Sequence, residues 1–141
     1  MTANVNPIFS RVGDIQWTTV PIAAAHNAAD LTSGTSYLVF TADAAEGGYV
    51  QEVRLKPNPG TNTAQCVLRV WINNGSTIAT AANSALFAEL GIPATTTSTT
   101  IAQPEWIVPL GFALPLGFKI YVTVSAYTAG GFTAGVVGGK Y

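Results

Sequence analysis

The chain has 141 residues, a length that suits one domain, and only 9% of them are charged, against about 25% in an ordinary soluble domain. Six Lys and Arg stand against seven Asp and Glu, too little positive charge to neutralise phosphates or hold an anionic bilayer, so neither nucleic acid nor membrane is an expected partner. Small neutral residues replace the missing charges, which predicts a surface that contacts other protein copies.

The N-terminal residues 1–14 show no hydrophobic periodicity and contain Asn6-Pro7. We therefore predict an extended N-terminal arm at 1–14, followed by the folded domain at 15–141. The arm has neither the basic segment nor the apolar segment of a secretory signal, so export by that route is not indicated.

Short β-rich runs separated by turn signals occupy the rest of the chain. We predict strands at 15–20, 37–41, 49–56, 64–73, 86–90, 106–108, 118–127 and 132–137. The loop at 23–36 has room for one helical turn at 23–29, Asn74-Gly75 predicts a type I′ hairpin turn, and Pro93 predicts a sheet edge.

Alternation within three of these runs separates an apolar face from a polar one. The apolar faces carry Tyr49, Gln51, Val53 and Leu55; Cys66, Leu68, Val70 and Ile72; and Ile120, Val122, Val124 and Ala126. The pattern predicts an all-β fold, a single antiparallel β-sandwich of jelly-roll type. An immunoglobulin-like sandwich is the alternative, although one cysteine cannot supply its disulfide.

Reactive side chains are few and scattered. Cys66 is the only cysteine and falls in an apolar row, and His26 is the only histidine and lies in an alanine-rich loop. Asp43 with Glu46, and Glu89 with Glu105, are the carboxylate pairings to consider. We expect no catalytic residue, no metal and no cofactor, and hence no enzyme.

Large side chains that point away from the apolar rows are candidates for subunit contacts or sugar platforms, or for a second buried layer if the alternation assigns the wrong face. The region 106–139 carries only Lys119 as a charge, which makes it a further place for copies to meet. The candidate interface residues are Arg69, Trp71, Trp106, Phe112, Tyr121 and Tyr127.

Four segments together resemble a family of small virion proteins of tailed bacteriophages. They are Ile15-Gln16-Trp17, LRVWINNGS at 68–76, LPLGFKIYV at 114–122 and VVGGKY at 136–141. The resemblance spans nearly the whole chain and implies a head decoration, or cement, subunit that is a compact β-sandwich and commonly a homotrimer.

Such a subunit binds the major capsid protein, stabilises the assembled capsid from its outer surface, and is assembled in the cytoplasm of the host bacterium. A carbohydrate-binding or host-adhesion module of a tail or head fibre is the alternative function that the same motifs allow.

Overall fold

Eight β-strands make up nearly all the regular structure of the computed structural model, which describes residues 10–126 and 128–141. The strands are β1 (Val12–Trp17), β2 (Tyr37–Thr41), β3 (Gly48–Pro57), β4 (Cys66–Asn73), β5 (Ser84–Ile92), β6 (Trp106–Leu114), β7 (Lys119–Val124) and β8 (Phe132–Lys140). Within these two ranges the only helical segment is a 3-10 turn at Ala81–Asn83. The predicted all-β class is confirmed.

Two antiparallel four-stranded sheets pack face to face. The front sheet has the strand order β1-β8-β3-β6, and the back sheet has the order β2-β7-β4-β5. Strands 1 and 8, 2 and 7, 3 and 6, and 4 and 5 are therefore neighbours, which is the wrapping pattern of an eight-stranded jelly roll. The predicted jelly-roll sandwich is confirmed.

The core lies between the inner faces of the two sheets. Its fully buried members include Phe40, Val53, Leu55, Leu68, Val70, Ile120, Val122, Val124, Phe132 and Val136. Each such side chain contributes about 1.5–3 kcal/mol through its removal from water. The alternation predicted for β4 and β7 is confirmed by these positions, and Cys66 is buried in the same layer.

The alternation predicted for β3 is wrong in its first half. A register shift between Val50 and Glu52 marks a β-bulge in the pairing with both neighbouring strands. The extra residue inverts the pattern, so Val50 is buried while Gln51 is exposed. Beyond the bulge Val53 and Leu55 face the core as predicted.

The predicted type I′ turn at Asn74-Gly75 is also wrong. That turn needs positive φ at both residues, and Gly75 has φ +91°, but no non-glycine residue of the described chain has positive φ. The connection instead runs from Asn73 to Ser84, which pair with each other at the ends of β4 and β5. Asn73 holds the start of this connection, because its side-chain oxygen accepts the Gly75 N–H at 2.9 Å.

Several elements also differ from the prediction, most of them in their limits. β1 begins at Val12, so the last residues of the predicted arm belong to a strand, while residues 1–9 lie outside the described chain. β6 continues to Leu114, past the predicted end at residue 108, and Pro109 is tolerated because β6 is an edge strand. The helical turn expected at 23–29 is absent from the loop, where Ala25 instead bridges to Val124.

Candidate interaction surface

The outer face of the front sheet exposes large apolar side chains. One cross-strand row contains Trp17, Gly135, Arg54 and Ile107, and the next contains Ile15, Val137, Glu52 and Pro109. Trp17 and Ile15 are each 63% exposed, and Ile107 is exposed as well. Because Gly135 has no side chain, the sheet surface is open between the Trp17 indole and the Arg54 guanidinium.

The charges on this face neutralise one another. Arg54 donates from Nε to Glu52, and its Nη1 lies 3.4 Å from Glu105 Oε1. The hydrogen bond to Glu52 and the two carboxylate charges raise the pKa of the Arg54 guanidinium, so it remains charged and held in place. The face therefore presents little uncompensated charge around Trp17.

A groove of about 480 Å³ opens beside this row, between β3, β8 and the loop that precedes β6. We call it the front groove. Its lining includes Lys56, Ile101, Gln103, Thr133 and Gly135. Ile101 is 71% exposed, so the groove has an apolar wall that is open to solvent.

Three predicted interface residues lie together on the outer face of the back sheet. The register places Arg69 opposite Thr123 and Trp71 opposite Tyr121. Trp71 is only 2% exposed, its Nε1 donates to Thr123 Oγ1 at 3.0 Å, and burial raises the pKa of the Tyr121 hydroxyl. Trp71 is thus packed inside the chain.

The loop between β1 and β2 is what covers this face. His26 is almost fully buried, packs edge-on against the Trp71 ring at 6.1 Å, and accepts a hydrogen bond from Arg69 at its backbone oxygen. Its backbone N–H donates to Val124 O at 2.8 Å, which ties the loop to the end of β7. Leu31 is buried in the same loop.

The remaining predicted interface residues lie elsewhere. Trp106 and Phe112 belong to β6 and pack against the core from its rim, Trp106 beside Phe132 and Phe112 beside Phe87 at a ring distance of 4.8 Å. Tyr127 lies outside the described residues. The predicted set is therefore spread over two sheets and does not form one patch.

Sequence reasoning missed Ile15 and Trp17 as surface candidates. The signal was present, because in β1 the polar residues Asp14 and Gln16 alternate with exposed apolar ones, the reverse of an ordinary strand. In β1 the polar residues face inward, where Gln16 bonds to the neighbouring sheet.

The chemically reactive groups are kept apart. Glu89 pairs with Arg69 on the back sheet, while Glu105 pairs with Arg54 on the front sheet, so these carboxylates do not form a pair. Asp43 Oδ1 accepts the backbone N–H groups of Ala45 and Glu46, which lowers the pKa of its carboxyl. These contacts cap a turn.

Cys66 lines a second cavity, of about 650 Å³, at one end of the back sheet. Burial raises the pKa of its thiol, which disfavours the reactive thiolate. The described residues contain no group of three or more His, Cys, Asp or Glu side chains placed to hold a metal ion.

Among the described residues there is no helix of the length and hydrophobicity needed to cross a membrane. No protein-family model matches this chain, and no curated protein shows significant similarity to it.

Proposed function

We propose that this protein is a non-enzymatic virion subunit of the head decoration, or cement, type. It assembles with itself, and the resemblance implies that the assembly is a trimer. The oligomer binds the major capsid protein on the outside of a capsid that is assembled in the bacterial cytoplasm. The exposed apolar side chains of Ile15, Trp17 and Ile107 on one sheet face are the observation that carries the proposal, since a solvated surface of a single chain rarely keeps such side chains together.

The charge pattern supports the same conclusion. Arg11, Arg54, Arg69 and Lys140 all form ion pairs within the chain. Because four of the six Lys and Arg residues are paired within the chain, the surface gains little from ionic docking, and its contacts with other proteins depend on apolar and neutral polar groups. The jelly roll is compatible with this role, although the fold alone does not select it.

The test is to mix the purified chain with empty capsids of a tailed phage that encodes it and to measure co-sedimentation. We expect binding that persists when NaCl is raised from about 0.1 M to about 1 M, because apolar contacts are not screened. A Lys-rich peptide that binds the capsid through its charges serves as the control, because the same rise in NaCl should release it. A chain that stays monomeric and never joins the capsids would contradict the proposal.

A carbohydrate-binding module is the second candidate, and one observation favours it. The exposed Trp17 indole stands beside a groove that carries the hydroxyl of Thr133 and the amide of Gln103. A glycan array that compares the wild-type chain with Trp17→Ala tests this candidate. Trp71→Ala is not a suitable variant for this test, because Trp71 is buried and cannot contact a glycan. Trp17-dependent capture of a glycan by a monomer would favour this candidate.

A further inference from the structure

We propose that the Trp17 indole of one copy occupies the front groove of a neighbouring copy. The inference rests on the proposed self-assembly and names the contact that produces it. Trp17 stands on the edge strand β1, and the groove begins at Gly135 on the next strand and extends past β3 to the loop that contains Ile101. Each copy therefore offers one indole and one groove.

The indole is suited to transfer into such a groove. A tryptophan side chain removes about 150–250 Å² from water when it becomes buried, and most of the Trp17 side chain is still exposed in the single chain. Tryptophan is also among the residues that contribute most to binding when they are buried at the centre of an interface. Its N–H is a donor without acceptor capacity, so the receiving groove must supply an oxygen.

The front groove supplies both kinds of contact. Ile101 and Pro59, both exposed, provide apolar walls for the ring. Gln103 uses its side-chain nitrogen to bond Ser98 O at 3.0 Å and Ile101 O, which fixes the loop. The Gln103 side-chain oxygen has no hydrogen-bond partner among the described residues and can accept the indole N–H.

Charge complementarity favours a copy of this chain over a charged partner. Arg54 is already satisfied by Glu52 and Glu105, whereas Lys56 forms no ion pair with any described residue. A lone ammonium beside an apolar wall matches the negative face of an aromatic ring, to which cations are attracted. A nucleic acid would require several free cations here, and a glycan would leave the exposed Ile101 and Pro59 without an apolar partner.

The contact joins two different parts of the surface, so variants of the two parts can be tested separately. Trp17→Ala removes the indole and Ile101→Asp places a charge on the groove wall, and both residues are exposed, so neither change disturbs the core. Leu116→Ala and Leu116→Asp are the matched controls at an exposed apolar residue in the connection between β6 and β7.

Sedimentation velocity across the micromolar range gives the self-association constant. We expect Trp17→Ala and Ile101→Asp to weaken self-association by at least about tenfold, and the Leu116 variants to leave it unchanged. An equimolar mixture of the two weakened variants should form heterodimers, because the intact indole of the Ile101→Asp chain fits the intact groove of the Trp17→Ala chain.

The same variants separate this inference from the proposed function. A wild-type oligomer that both substitutions leave intact, or a mixture that forms no heterodimer, overturns the indole contact even if capsids are still bound. A monomeric wild type that uses Trp17 to capture a glycan overturns it as well. Failure of the wild-type oligomer to bind capsids contradicts the proposed function and leaves the indole contact standing.

Discussion

The side-chain amide of Gln16 forms two hydrogen bonds with the backbone of Thr41. Gln16 Nε2 donates to Thr41 O and Gln16 Oε1 accepts from Thr41 N–H, both at 2.9 Å. Gln16 belongs to β1 of the front sheet and Thr41 to β2 of the back sheet. The Gln16 side chain thus links β1 to β2 and closes this lateral edge of the sandwich. At the opposite lateral edge, Phe87 of β5 packs against Phe112 of β6.

Gln16→Ala should therefore destabilise the domain by about 1–3 kcal/mol, because it leaves the partly buried N–H and C=O of Thr41 without partners. Urea unfolding followed by tryptophan fluorescence measures the free energy of unfolding. Gln51→Ala is the matched control, since Gln51 is exposed at the β3 bulge. Equal midpoints for the two variants would contradict the bridging role of Gln16.

The strands were predictable where core-facing apolar residues alternate strictly with more polar ones. In β7 the residues Ile120, Val122 and Val124 follow a strict period of two, because successive side chains of a strand point to opposite faces and these three face the core. A bulge leaves no comparable mark in composition, so the inversion at Val50 and Gln51 was not visible. The continuation of β6 beyond Pro109 depends on its position at the edge of the sheet, and strand order cannot be read from the local sequence.

The interaction surface was less predictable, because the covering of an outer face depends on tertiary structure. Alternation correctly separates Trp71 from the core row of β4, yet the loop that contains His26 buries it on the other side. No local sequence pattern predicts that this loop folds back onto the outer face of the back sheet. Trp17 is exposed because no described segment lies over the front sheet at that position.

The Trp71–Thr123 hydrogen bond should show a measurable coupling energy. Trp71→Phe leaves the buried Thr123 hydroxyl without its donor, and Thr123→Val leaves the indole N–H without its acceptor, so each should cost about 1–3 kcal/mol. The double variant removes both polar groups and should cost less than the sum. Unfolding free energies of the four proteins complete the cycle, and strict additivity would argue against the bond.

Three glycines should respond to alanine in a fixed order. Gly91 has ordinary φ and open space where a Cβ would go, so Gly91→Ala should be neutral or slightly stabilising. Gly117 has φ +69° and open space, so its substitution should cost about 1–2 kcal/mol from backbone conformation alone. Gly131 has φ +64°, and its Cβ would lie 2.8 Å from Ile22 O, which adds a steric clash.

Thermal unfolding of the three variants should therefore give the largest loss for Gly131→Ala and the smallest for Gly91→Ala. The Gly131 clash falls beside the paired backbone bonds between Ile22 and Phe132, at 2.8 and 3.0 Å, so relief of the clash must disturb that bridge. A Gly131→Ala variant no less stable than Gly117→Ala would mean that the loop moves aside freely.

Asp43 should make the stability of the fold depend on pH in the acid range. Its carboxylate accepts the N–H groups of Ala45 and Glu46 and lies 3.4 Å from Lys140 Nζ, and these contacts lower its pKa. The folded state thus holds this proton less tightly than the unfolded chain, whose aspartate pKa is about 3.9. The stabilisation is present above that value and is lost as pH falls through the lower, folded pKa.

Asp43→Asn keeps an oxygen that can accept the two backbone N–H groups but removes the titrating charge. The variant should therefore lose less stability than the wild type as pH falls below about 4. Urea midpoints across the acid range measure the difference. The Thr32 hydroxyl and N–H lower the pKa of the Asp30 carboxyl in the same way, so Asp30→Asn should also reduce the loss of stability at acid pH. An unchanged acid slope in both variants would place the acid sensitivity of the fold at other groups.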